Sequence, residues 1–467
     1  MYADKYGGSD ILPCLGAGRA GFLSCGNFYL KGIGHTPLYK PSDFDDFQHT
    51  HGGLPMRESM FEAVFGEVNT NLLTNGSARI LAIVDQGDYT VYPDGKREPR
   101  AVAVRAGSQL RPAHLFAKGL KANPCRLQLF LRMAGSTGQL VTRQTHSRTI
   151  VPDLNATMLR IVEDHAITAA ELFRWRMLHG AISMSNMELS GAMLDTTTQS
   201  AQPRTAPMKI LTYHSDINIV YGKEHLQRAE ELQIMYRSIV RGLPQEQRVV
   251  LNAQPIDFIA EMNRSFEKRL QLQMLKATGL KMKAAQRLQT DYPEIACRLK
   301  RVLTEMAALR NPGSINANKA PVEHISVLDV FNLLREYPAL CFTRSTASPE
   351  PAIREYLHPG FSGNRRRQQK MRSAVDTLIM EFRQVYADLI TAGLHIAPEY
   401  YGNSAGMRRS ITSRANFENR PLDRLYRWNI LREFKDVVDL YKSTDDSEII
   451  SRFISETVSE SRRNSDA

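Results

Sequence analysis

The chain has 467 residues, 42% of them hydrophobic and 23% charged, which allows two or three folding units at about 150 residues each and matches ordinary globular usage. A short disulfide-stapled scaffold, a fibrous repeat and a disordered chain are excluded. The 60 Lys and Arg against 49 Asp and Glu leave a net charge of +11, which favours an anionic partner, whether nucleotide, nucleic acid, acidic protein or membrane surface, without choosing among them.

Strand and turn signals concentrate in residues 1–150. Segment 22–30 is short and aromatic-rich, 78–84 and 101–105 are strand-like runs, and Asp94-Gly95 marks a hairpin turn between 89–92 and 101–105. Between them, Met60, Val64 and Val68 recur at helical spacing and predict a helix over 56–73. Val151-Pro152-Asp153 opens a helical stretch, and 166–178 reads as a helix with Leu172 and Trp175 inward, ending at Gly180. A polar, turn-like segment through Pro207 follows. From Lys223 onward helix dominates, with candidates at 224–241, 255–290, 295–309, 327–336, 366–392 and 422–441. Arg365–Lys370 reads as a solvated helix start rather than a nucleic-acid contact, because no aromatic platform accompanies it. The polar end, 459–467, reads as disordered.

Five cysteines without a CxxC pair point to structural thiols in a reducing compartment. No apolar run reaches the 18 or so residues of a membrane span, and a cytoplasmic location is expected.

Three constellations suggest phosphate chemistry. Gly16-Ala17-Gly18-Arg19-Ala20-Gly21 offers backbone amides to phosphate oxygens, with Arg19 and Lys31 to neutralise charge; it is neither a P-loop nor a dinucleotide fingerprint. Lys31 ends a predicted strand and Glu62 lies in the next helix, the pairing by which kinases hold α- and β-phosphates, although composition alone favours an ordinary surface lysine and glutamate. Asn186 and Asp195, brought together across a short hairpin, offer hard oxygen ligands to Mg²⁺, while either alone more often caps a turn. His179 reads as a structural hydrogen-bonding histidine.

The ordered set Gly16–Gly21, Leu30-Lys31-Gly32-Ile33-Gly34, the helix with Arg57 and Glu62, the pair Arg105 and Arg111, and the run from His179 to Asp195 resembles the SelO (YdiU) family of protein-kinase-like adenylyltransferases over about residues 1–240. Tyr2–Gly8 looks like that family's YAGHQFG segment. The resemblance implies an α+β, bilobal protein-kinase-like fold with a strand-rich N-lobe over 1–115, a kinase-like C-lobe core over 116–240, a large helical C-terminal region over 241–458 and a disordered tail over 459–467. It implies ATP and Mg²⁺, or Mn²⁺, as cofactors. Nucleotide contacts then fall on Gly16, Gly18, Arg19, Lys31, His51, Gly52, Arg105 and Arg111, and metal ligands on Asn186 and Asp195, with Lys31 and Glu62 as the kinase-type pair.

Departures alter the expected chemistry. Ser185 stands where the family has its proposed catalytic aspartate, and a serine cannot take a proton as a carboxylate does. The C-terminal cysteine or selenocysteine motif of the family has no counterpart, so redox control through it is not expected. Altered SelO-like chains also resemble the MchC-type subunits that work beside an acyltransferase-like partner in microcin maturation. The expected function is thus AMP transfer to, or activation of, a peptide or protein acceptor within a hetero-complex; the alternative is a non-catalytic nucleotide-binding pseudokinase subunit.

Overall fold

A computed structural model describes residues 1–4, 19–23, 28–37, 51–107, 109–117, 123–145, 147–201, 209–211, 218–220, 223–277, 279, 282–308, 314–316 and 422–462, with scattered helical positions between 365 and 388. Strands β1 (Tyr2–Ala3), β2 (Ala20–Phe22), β3 (Phe28–Lys31), β4 (Leu54–Pro55), β5 (Ile80–Val91) and β6 (Arg97–Ala106) form one antiparallel sheet. β1 pairs with β2 and β2 with β3; β3 and then β4 run along one edge of β6, and β5 lies on the other. The predicted hairpin forms. Tyr92 N donates to Lys96 O at 2.8 Å and Lys96 N to the Asp94 carboxylate at 3.0 Å, which closes the turn from within.

Helix α1 (Met56–Leu72) crosses this sheet. Met60, Val64 and Val68 are fully buried, as their spacing predicts, but so are Phe61 and Phe65 on a second face. A helix that is apolar on more than one face needs cover on both sides. The second cover comes from the far end of the chain, where α9 (Arg427–Thr444) and α10 (Glu448–Arg462) pack Phe434 and Phe453 against it.

The remaining helices build a separate core. Asp153 caps α3 (Leu154–Arg174) by accepting from Ala156 N at 2.9 Å. The helix predicted over 166–178 is the second half of α3, with Trp175 just beyond its last residue, and Met177–Leu178 is instead strand β7, paired with β8 (Ser200–Ala201). α3 packs on α4 (Glu224–Val240) and α6 (Phe258–Ala277), with α2 (Asn123–Ser136) against α4 and α8 (Pro293–Ala308) against α6, sharing residues such as Phe130, Ile161, Leu232, Phe258 and Leu299. The short α5 (Gln245–Val250) precedes α6.

Several expectations are corrected. The helix expected over 255–290 is two, α6 and α7 (Met282–Asp291), because Gly279 at φ +87 turns the chain out of helical geometry. Disorder does not begin at Ser459: α10 continues to Arg462, held by the buried Ile450, Phe453 and Val458. α9 and α10, toward the end of the region expected to be helical over 241–458, share the core of α1. The helix at 327–336 and residues 463–467 fall outside the described residues, whereas Arg365, Arg366 and Gln369 are helical as expected. The chain is therefore a mixed α+β protein, mainly helical, with a small antiparallel sheet. Among the described residues no helix is long and apolar enough to cross a membrane.

Candidate functional site

Strand register decides which side chains meet. Tyr29 lies opposite Arg105 and Lys31 opposite Ala103, so residues two apart on β3 share one face with residues two apart on β6. Ala103 is small and leaves the Lys31 side chain room to cross toward α1. β3 must end at Gly32, whose φ is +96 and whose missing Cβ would lie 2.5 Å from Ala101 O. Lys31 Nζ then reaches Glu62 Oε1 of α1 at 2.6 Å.

Asp195 completes the cluster from 164 residues further along the chain. Its Oδ1 accepts from Lys31 Nζ at 2.7 Å and Arg105 Nη2 at 2.6 Å, and its Oδ2 accepts from Arg111 Nη1 at 2.8 Å. Arg105 also donates through Nε to Glu62 Oε2 at 3.0 Å. Three cations are therefore held by two carboxylates. Arg105, Arg111 and Glu62 are at most 3% exposed, whereas Asp195 keeps 17% and Lys31 10%, so the cluster opens to solvent beside these two. Asp195 sits at φ +49, a left-handed conformation that costs a non-glycine residue on the order of 1 kcal/mol and that recurs at ligand sites.

Two residues that sequence reading did not single out bridge the arginines. Gln109 Oε1, fully buried, accepts from Arg105 Nη1 at 3.1 Å and Arg111 Nη2 at 3.2 Å, and Gln109 too is left-handed at φ +46. The Tyr29 ring lies 5.6 Å from the Arg105 guanidinium and 5.4 Å from that of Arg111, its electron-rich face partly offsetting two like charges. Nothing in the sequence marks Gln109, because a polar residue between two arginines reads as a loop.

The electrostatics follow from this packing. Burial alone would raise the Glu62 carboxyl, but the Arg105 guanidinium and the Lys31 ammonium outweigh it and hold Glu62 below its ordinary value. Asp195 is likewise pulled well below the carboxylate range by Lys31, Arg105 and Arg111 against the effect of burial. Arg105 is raised: desolvation works against its charge, and Glu62 and Asp195 more than offset it.

The hairpin expected between Asn186 and Asp195 forms. Leu194 N donates to Asn186 O at 3.2 Å, and Met187 and Met193 face each other across it. His179 is structural, as expected: it is fully buried, its Nε2 lies 2.6 Å from Leu194 O, and desolvation lowers its pKa to about 4. Asn186 Nδ2 donates to Ala181 O at 2.9 Å, which leaves Oδ1 with only a long 3.4 Å contact from Ser185 Oγ. Ser185 itself shares a 2.8 Å hydrogen bond with Ser183 Oγ, and its carbonyl accepts from Arg111 Nη1.

Asn186 Oδ1 therefore lies on the same hairpin as Asp195, whose two carboxylate oxygens are engaged by Lys31, Arg105 and Arg111. Among the described residues no group of three or more His, Cys, Asp or Glu side chains is placed to hold an ion unaided.

Of the expected nucleotide contacts, Lys31, Arg105 and Arg111 assemble with Glu62, Ser185 and Asp195. Arg19, His51 and Gly52 assemble elsewhere: Arg19 Nη1 donates to Gly53 O at 2.7 Å and pairs with Glu58 at 3.7 Å, His51 Nδ1 accepts from Gly53 N, and Gly34 N donates to Gly52 O at 3.1 Å. Among the described residues no hydrogen bond or ion pair joins Arg19 to the Asp195 cluster. Arg57 pairs with Glu98 instead. Gly16 and Gly18 lie outside the described residues. No family model and no curated protein matches the chain.

Proposed function

We propose that the chain binds ATP with Mg²⁺ in a SelO-like, protein-kinase-like site and transfers AMP to, or activates, a peptide or protein acceptor. The observation that carries this reading is the convergence of Lys31, Arg105 and Arg111 on one partly exposed carboxylate, with cations outnumbering carboxylates. A buried excess of positive charge is costly unless an anion completes it, and a polyphosphate supplies several charge-assisted acceptors at once.

In this reading Lys31 and the two arginines bind and orient the phosphates, Glu62 holds Lys31 and Arg105 in place, and Asn186 and Asp195 offer oxygens to the metal. The bound metal neutralises charge on the phosphate oxygens. Ser185 gives the acceptor no base. An acceptor carboxylate needs none, being ionised well below neutral pH; its oxygen bonds to the α-phosphorus as the bond to the bridging oxygen breaks and pyrophosphate leaves. A peptide carboxylate activated within a hetero-complex beside an acyltransferase-like enzyme, as in microcin maturation, fits that chemistry better than a protein hydroxyl.

A second reading is a non-catalytic nucleotide-binding pseudokinase subunit that supports a partner enzyme. It is favoured by Ser185, whose hydroxyl is engaged by Ser183 while its carbonyl is engaged by Arg111. Incubation with α-³²P-ATP and γ-³²P-ATP in separate reactions, with the partner co-expressed from the neighbouring genes, discriminates. Label retained from α-³²P-ATP alone is expected; label from γ-³²P-ATP alone refutes nucleotidyl transfer, and nucleotide bound but never consumed selects the second reading.

A further inference from the structure

We infer that the C-terminal helix pair is a clamp that sets the geometry of the charged cluster, with Arg427 as its positioning residue. Nothing in this inference depends on which ligand the cluster takes.

Arg427 is the first residue of α9 and is 4% exposed. The preceding Tyr426 provides no side-chain cap, and the Arg427 N–H is satisfied instead by Ser200 Oγ at 3.0 Å, so the start of α9 is completed by the segment that follows Asp195. The guanidinium lies 4.8 Å from the Phe61 ring, and Nη1 donates to Thr197 O. Phe61 is the neighbour of Glu62 on α1, and Thr197 is two residues beyond Asp195. One side chain from the far end of the chain thus touches the supports of both carboxylates.

The rest of the pair holds Arg427 in that place. Phe434 meets Phe61 edge-on at 5.8 Å and Phe453 meets Phe434 at 5.5 Å. Tyr441 and Lys442 bind the Asp85 carboxylate of β5 at 2.8 and 2.6 Å. Arg424 bridges Glu433 of α9 and Glu460 of α10, each at 2.7 Å.

A second tie between α1 and the same segment, the reciprocal 2.8 Å amide pair of Asn69 and Gln199, lies about two helical turns from Glu62. It anchors the far end of α1, whereas Arg427 reaches the end near Glu62, beside the Arg57–Glu98 and Arg19–Glu58 pairs. A cavity of about 310 Å³ borders Phe61, Thr197, Leu431 and Arg427, so the guanidinium has room to leave the ring without unfolding its surroundings. When it does, α1 loses one of its ties beside Glu62 and the Lys31–Glu62 pair loosens.

The test reads Lys31 directly in the full-length chain without added nucleotide. N-hydroxysuccinimide acetate labels free lysine amines, and Lys31, bonded to two carboxylates and 10% exposed, labels slowly. Arg427→Met keeps an unbranched side chain over Phe61 but donates nothing to Thr197. It is expected to raise the Lys31 labelling rate about tenfold, the loss of one charge-assisted hydrogen bond, and to speed amide exchange over residues 56–66 in parallel. Glu62→Gln serves as the reference for a Lys31 that keeps only Asp195 as its carboxylate partner. If Arg427→Met fails to fold, Phe434→Leu loosens the same contact without touching a polar group and carries the same expectation. Wild-type labelling in the folded clamp variant, with faster labelling in Glu62→Gln, overturns the inference; so does faster exchange confined to α9 and α10.

Discussion

Replacing Asp195 with asparagine tests the charged cluster most directly. The side chain keeps its size, but one acceptor oxygen remains where two now accept from Lys31, Arg105 and Arg111 at 2.6–2.8 Å. The new amide N–H then faces donors. Removing one partner from a buried charge network costs about 3–5 kcal/mol, because the cations stay behind without compensation. The pH sign is set by the depressed folded pKa of Asp195: its contribution is complete above the ordinary carboxylate pKa and is lost as pH falls through the folded value. The full penalty is therefore present at pH 7, and the variant should show a shallower loss of stability at acid pH. Urea unfolding followed by tryptophan fluorescence is suited to this, since Trp175 packs against the core around α1 and Trp428 lies in α9. The freed cations make a second expectation. Pyrophosphate should stabilise the variant by about 2.7 kcal/mol at a hundredfold excess over the variant's Kd, and the wild type by less at the same concentration. A midpoint within about 0.5 kcal/mol of wild type at pH 7, with no added response to pyrophosphate, would refute the view that Asp195 neutralises these three cations.

Gln109→Leu removes the oxygen shared by Arg105 and Arg111, and calorimetry should show triphosphate affinity reduced about tenfold with adenosine affinity unchanged; an equal loss for both ligands would make Gln109 a general folding residue. His165 is fully buried and accepts from Arg228, and desolvation lowers its pKa to about 3. The unfolded chain therefore takes up its proton first, so stability is complete above about pH 6.5 and falls on acidification by about 1.4 kcal/mol per unit of pH; urea titrations of His165→Gln at several pH values should show a flatter slope between 6.5 and 4. Ser185→Asp supplies the missing carboxylate, and transfer of α-³²P label to hydroxyl-bearing proteins should appear; its absence, with ATP binding intact, would shift weight to the pseudokinase reading.

The residues alone specified the pieces whose chemistry is local. Met60, Val64 and Val68 made α1 legible because burial of one face imposes a helical period, and Asp94-Gly95 made its hairpin legible because the turn closes on its own side chain. Asn186 and Asp195 were readable as a pair for the same reason, being the two ends of one short hairpin. Lys31, Glu62, Arg105 and Arg111 could be named from an ordered likeness of motifs, but not brought together by it: their meeting depends on the β3–β6 register and on the crossing of α1. The Arg19 and His51 patch shows the limit, since neighbouring charges and glycines in sequence were turned toward Gly53 and Glu58 once β2 paired with β3. Gln109, Tyr29 and Arg427 had no local signature at all. A buried amide between two arginines, a ring beneath them, and an arginine more than three hundred and fifty residues from the helix it braces acquire roles only through long-range packing, where the cost of burying like charges decides which neighbours a stable fold must supply.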